Sequence, residues 1–124
     1  MKKYRVWQAV LTDSMLKEIN SGRNKLLSDV YFRVGMINPD NAQDRVNAAS
    51  ALGLYKCVGM IVADDLESAF DAGNNHPQSA EHSYKREHPK ATSLSVGNVL
   101  FDTETETCHA CCSFGWHEIN LNRA

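Results

Sequence analysis

Leu54-Tyr55-Lys56-Cys57-Val58-Gly59-Met60-Ile61-Val62, followed at once by Asp64-Asp65-Leu66-Glu67-Ser68-Ala69-Phe70, decides the fold class. The first nine residues form a short apolar run with aromatic and β-branched side chains. Gly53 precedes it and two aspartates follow, the pattern of a buried strand. The hydrophobic period then lengthens to that of a helix. Leu66, Ala69 and Phe70 share one face, and Asp64 or Asp65 offers the N-cap oxygen. Gly73-Asn74-Asn75 supplies residues tolerant of the left-handed conformation that ends helices. Asp64, Asp65 and Glu67 are read as favourable charges at a helix start, not as catalytic acids.

Toward the N-terminus, residues 4–11 predict a second strand. Val6, Trp7, Ala9, Val10 and Leu11 do not alternate with polar residues, so burial on both faces is expected. Thr12, Asp13 and Ser14 provide caps for a short helix carrying Met15, Leu16 and Ile19 on one face, stopped by Asn20-Ser21-Gly22. Residues 25–34 fit two patterns. Leu26, Leu27, Val30 and Val34 make a helical face, whereas Val30-Tyr31-Phe32-Arg33-Val34 suits a strand; helix is the reading adopted. After the turn at Asn38-Pro39-Asp40-Asn41, residues 42–52 predict a helix with Ala42, Val46, Ala49 and Leu52 inward and Gly53 closing it.

Toward the C-terminus, apolar content collapses over residues 75–92, which are read as an exposed loop. His76, His82 and His88 within it are read as solvated surface. Order returns with Ser93-Leu94-Ser95-Val96-Gly97-Asn98-Val99. Gly97-Asn98 is expected to be a positive-φ pair, a structural turn into a strand at 99–102. A turn at Thr103-Glu104-Thr105-Glu106 and a strand at 107–114 complete a C-terminal hairpin. The expectation is a single α+β domain spanning residues 1–124. It has a small, mainly antiparallel sheet of about four strands, two to four helices packed on it, and a β-hairpin at the end.

Composition supports a packed core: 43% of the 124 residues are apolar and 23% charged. Thirteen Lys and Arg against fifteen Asp and Glu give a net charge of −2. The charges are interspersed, so the concentrated basic stripe needed to hold nucleic-acid backbone is missing and nucleic acid is not the expected partner. Lys2 and Lys3 are followed by no signal-peptide core, since Gln8, Thr12 and Asp13 interrupt it. No apolar run nears the roughly 18 residues of a membrane span. A cytoplasmic location without membrane association is therefore expected, with Cys57, Cys108, Cys111 and Cys112 reduced.

Cys108-His109-Ala110-Cys111-Cys112, with His117 beyond it, is the segment closest to a metal motif. Cys108 and Cys111 have zinc-ligand spacing, Cys112 or His117 could supply a third donor, and Cys57 a fourth. Against that, the segment reads as extended strand, which sends Cys108 and Cys111 to opposite faces. Cys108, Ala110, Cys112 and Phe114 are then core residues, and neither a metal nor any other cofactor is expected. No phosphate-binding loop, nucleophile elbow or other catalytic signature occurs, so the chain is not expected to be an enzyme. Tyr84 beside Lys85 and Arg86, in the polar loop, has two readings: an exposed partner-binding anchor, the one adopted, or a loop residue folded back as a plug.

Three stretches together resemble a known family. They are Leu54-Tyr55-Lys56-Cys57-Val58 leading to Asp64-Asp65-Leu66-Glu67 with Phe70 and Asn74; Ser93 to Val99; and Phe114-Gly115-Trp116. The chain is similar to YodL-like domains and related small proteins of phages and mobile elements, as is its opening Tyr4-Arg5-Val6-Trp7-Gln8-Ala9. It has Asn98 where that family usually has Asp. The resemblance implies a non-catalytic phage or mobile-element accessory protein in the host cytoplasm, one that binds a host protein and modulates host function or defence. Two other readings compete. Ser95-Val96-Gly97-Asn98-Val99 is similar to a turn of PUA-like and ASCH-like nucleic-acid or nucleotide-binding barrels, and the Cys108 cluster would suit a small zinc-binding protein.

Overall fold

In the computed structural model, which describes residues 1–121, the first strand β1 (Lys2–Ala9) lies inside the sheet and not at its rim. Three helices follow, α1 (Asp13–Asn20), α2 (Lys25–Val34) and α3 (Ala42–Ala51). Strand β2 (Tyr55–Ala63), helix α4 (Leu66–Gly73) and strand β3 (Ser83–Arg86) come next. The meander β4 (Val99–Asp102), β5 (Thr107–Cys112) and β6 (Gly115–Ile119) completes the chain. The sheet order is β3-β2-β1-β4-β5-β6, with every neighbouring pair antiparallel. No helix among the described residues is long and apolar enough to cross a membrane.

The α+β class and the antiparallel sheet match expectation, but the sheet has six strands and not about four. The two unforeseen strands are β3 and β6. Both are edge strands, and an edge strand has little apolar surface to bury, so its hydrophobic signal is weak. β3 falls within residues 75–92, correcting the reading of that segment as one exposed loop. The final hairpin is β5–β6, one strand later than the residues suggested. At its end the side-chain amide of Gln43 stands where a further strand would: Gln43 Nε2 donates to Asn120 O at 2.8 Å, and Asn120 N donates to Gln43 Oε1 at 2.7 Å.

Helices cover both faces of the sheet, which is why β1 carries apolar residues on both sides. Trp7 and Ala9 pack with Leu27, Val34, Val46, Ala49, Val99 and Cys108, under α2 and α3. Tyr4, Val6, Ile61 and Leu100 pack with Ala69 and Ala72 of α4 on the other face. Where Val6 faces Gly59 and Trp7 faces Cys57, Val58 is the extra residue of a bulge that turns it into the second core. Gly59 is needed there because a Cβ would collide with the carbonyl oxygen of Lys85 in β3.

Caps set the helix ends. Thr12 accepts from Met15 N at 3.1 Å, and Asn24 accepts from Leu27 N at 3.0 Å, committing residues 25–34 to a helix. Asp65, not Asp64, caps α4: its carboxylate takes Ser68 N while Ser68 Oγ takes Asp65 N, a reciprocal box. Asp64 instead meets His82, whose Nε2 lies 3.1 Å from Asp64 Oδ2. His82 is buried, correcting its assignment to a solvated loop surface.

Candidate functional site

The site is built on the turn Ser95-Val96-Gly97-Asn98 that leads into β4. Gly97 has φ +96°, and a Cβ there would lie 2.5 Å from the carbonyl oxygen of Val34, so α2 is seated directly against the turn. Asn98 does not share the left-handed conformation expected of it: Asn75 and Glu106 are the non-glycine residues with positive φ among those described. Its role is a hydrogen-bonding one. Asn98 Oδ1 accepts from Ser95 N at 2.9 Å and from Gln8 Nε2 at 3.1 Å. Gln8 also reaches the chain at Thr92, donating to Thr92 O at 2.9 Å and accepting from Thr92 N at 3.0 Å. Gln8 and Asn98 are both buried, and each would be costly there without partners.

Between this turn and the C-terminal end of α2 lies a cavity of about 360 Å³. Gln8, Asn98, Gly97 and Val96 line one side, and Tyr31, Phe32 and Met36 the other. Phe32 and Met36 sit four residues apart and are 58% and 61% exposed. Beyond Met36, Ile37 O accepts from both Ser113 N at 3.0 Å and Ser113 Oγ at 3.2 Å, which brings the β5–β6 turn alongside. Phe114 at that turn is 93% exposed, correcting its reading as a core residue. Val96 lines both this cavity and the adjoining groove below Ser113, so Phe32, Met36 and Phe114 belong to one end of the molecule.

Tyr84, Lys85 and Arg86 lie elsewhere, on edge strand β3. Tyr84 is half-buried against the α4-side core, and its hydroxyl donates to Thr92 O at 2.9 Å. The Arg86 guanidinium sits 5.1 Å from the Tyr84 ring centroid and reaches Ser93 Oγ at 3.3 Å. These contacts tie residues 92–93 to the sheet, so Tyr84 is folded back onto the core, the second of its two readings. Lys85 pairs across the strands with Met60 and is exposed.

Cys108, Ala110 and Cys112 face the α2–α3 core, while Cys111 points to the opposite side of the sheet. His117 pairs with Ala110 on β6. Among the described residues, no three His, Cys, Asp or Glu are placed to hold a metal ion. Burial and the neighbouring Cys112 push the Cys111 thiol up to about 11, and burial also raises Cys112, so both are thiols and poor nucleophiles at neutral pH. Cys57 is exposed on β2.

The apolar exposure of Phe32, Met36 and Phe114 had a sequence signal only in part. Phe32 lies off the helical stripe of Leu27, Val30 and Val34, whereas Phe114 is an aromatic residue beside a turn glycine. No family model, curated protein or solved structure matches the chain.

Proposed function

We propose that this chain is a non-catalytic accessory protein that docks a protein partner on the surface formed by Phe32, Met36 and Phe114. The observation that carries this reading is the combination of three large, exposed apolar side chains with a cavity lined by no charged residue. In a chain with 23% charged residues, an uncharged, aromatic-rimmed hollow is suited to an apolar or aromatic side chain of a partner. Covering a Phe or Met side chain is worth roughly 1.5–3 kcal/mol each, so three such residues can anchor an interface. A nucleic-acid ligand is disfavoured here, because no cation lines the hollow to meet phosphate. Resemblance to small phage and mobile-element proteins supports a host protein as the partner.

The test is site-specific photo-crosslinking with benzoylphenylalanine at position 114 or at position 84, in lysate of the host. One defined adduct from position 114 and none from position 84 is expected. Adducts from position 84 alone would move the interface to β3.

A further inference from the structure

β2 carries apolar side chains on both faces, but only one of them is buried along most of its length. On the α4 side Val58, Ile61 and Ala63 are buried. On the α2–α3 side, Tyr55 alone of β2 joins the core among the described residues. Register sets Cys57 beside Trp7, Met60 beside Arg5 and Val62 beside Lys3, which places all three on that same side. Arg5 in turn faces Phe101, a member of the α2–α3 core. Met60 and Val62 belong to neither core and stay part-exposed, and Cys57 is exposed. A solvated sheet face ordinarily alternates to polar residues. Here the outward positions of the strand are Cys, Met and Val.

The side chains framing this strip are cations. Lys85 of β3 faces Met60 from one side and Arg5 of β1 from the other, with Lys3 beside Val62. Lys3 and Lys85 are exposed, and neither ammonium has an ion-pair partner among the described residues. Arg5 reaches Glu87 Oε1 at 3.1 Å, just past the end of β3. Three cations against one carboxylate give the strip a net charge of +2, where the whole chain nets −2. Charge separated against the chain's own balance, around apolar side chains left outside both cores, is complementary to an acidic partner. Nucleic acid is the poorer fit. Trp7 and Phe101, the aromatic residues beside the strip, are packed into the α2–α3 core, so no ring is presented for bases to stack on. Three cations also displace few counterions.

We propose that this strip of β3, β2 and β1 docks an extended acidic segment of a partner protein. Its pattern is acid, any residue, apolar, any residue, acid. Strand spacing and rise put the Cα atoms of Lys3 and Lys85 about 12 Å apart, on either side of β2. Residues i and i+4 of an extended chain lie about 13 Å apart and point the same way, as does residue i+2 between them. The two carboxylates therefore meet the two lysines while the central apolar side chain covers Met60 and Val62. The strip shares no residue with the surface of Phe32, Met36 and Phe114, and the proposal is independent of that reading.

The test is a ¹H–¹⁵N NMR titration of the intact chain with acetyl-Glu-Ser-Leu-Ser-Glu-amide. Its lysine counterpart acetyl-Lys-Ser-Leu-Ser-Lys-amide and a short oligothymidylate serve as controls. Saturable shifts from the acidic peptide at the Met60, Val62 and Lys85 amides are expected, weaker at high salt, with Phe114 unmoved. Lys3→Glu with Lys85→Glu alters two exposed side chains and leaves both cores intact, so its melting midpoint should stay close to wild type. This variant should bind the acidic peptide at least about 5-fold more weakly and gain binding of the lysine peptide. Should it fail to fold, Lys3→Gln with Lys85→Gln is read instead, and a loss of acidic-peptide binding is again expected. No saturable shift with the acidic peptide at millimolar concentration, equal binding of both peptides by wild type, undiminished binding by the folded variant, or tighter binding of oligothymidylate would overturn the proposal.

Discussion

The hydroxyl of Tyr55 donates a 2.6 Å hydrogen bond to the carbonyl oxygen of Gly97, with Tyr55 almost wholly buried. Tyr55 opens β2, and Gly97 lies in the turn before β4. The bond therefore joins two segments that sit in different parts of the sequence and carry the strongest local patterns. Burial pushes the Tyr55 phenol above its ordinary range, keeping it a donor throughout the working pH range.

Gly97→Val should be strongly destabilising. The left-handed backbone costs a β-branched residue about 1–2 kcal/mol, and the added carbon meets the Val34 carbonyl. Thermal unfolding should show a midpoint lower by at least about 5 °C. An unchanged midpoint would mean that α2 does not rest on this turn.

Asn98 uses its side-chain oxygen as a double acceptor, so Asn98→Ala leaves Gln8 Nε2 and Ser95 N short of a partner. The expected loss is about 1–3 kcal/mol in denaturant titrations. Asn98→Asp preserves both acceptor contacts and should retain more stability than Asn98→Ala at neutral pH. The reverse order would refute the assigned role.

How much of this was legible beforehand depended on burial. The β2–α4 unit, the capped helices and Gly97 could be read, because each rests on a local pattern: an apolar run, an N-cap oxygen, a glycine before a strand. β3 could not, since three of its four residues are exposed and only Tyr84 packs. The position of Phe114 could not either. An aromatic residue continuing an apolar strand looks like core until the chain is seen to turn at Ser113. Gln8 and His82 were missed because polar residues give no sequence signal of burial when their partners lie 84 and 18 residues away.

Thiol labelling should separate the four cysteines. Cys57 is exposed, whereas the Cys111 thiol is buried and pushed up to about 11. Brief treatment of the native protein with iodoacetamide near pH 8, read by peptide mass spectrometry, should modify Cys57 first. Comparable early labelling of Cys111 would show that the β5–β6 hairpin opens readily.

Asp102 predicts an acid limb of stability. Burial raises its carboxyl, but hydrogen bonds from Lys2 Nζ and from the amides of Glu104 and Thr105 outweigh that and hold it below the ordinary 3.8. With the folded value depressed, its contribution is present above about pH 3.8 and disappears as pH falls through the folded value. Asp102→Asn should be less stable at neutral pH and should show a shallower loss of stability on acidification. An acid limb identical to wild type would assign it to other carboxylates.

The most direct test of the proposed docking surface compares wild type with the triple substitution Phe32→Ser, Met36→Ser, Phe114→Ser in quantitative capture from cell lysate. Washes at low and high salt complete the comparison. All three side chains are more than half exposed, so the variant should fold with a melting midpoint close to wild type. The expected result is one protein captured by wild type at both salt concentrations and lost with the variant. Undiminished capture by the folded variant, or capture by wild type that vanishes at high salt, would contradict an apolar docking surface at Phe32, Met36 and Phe114.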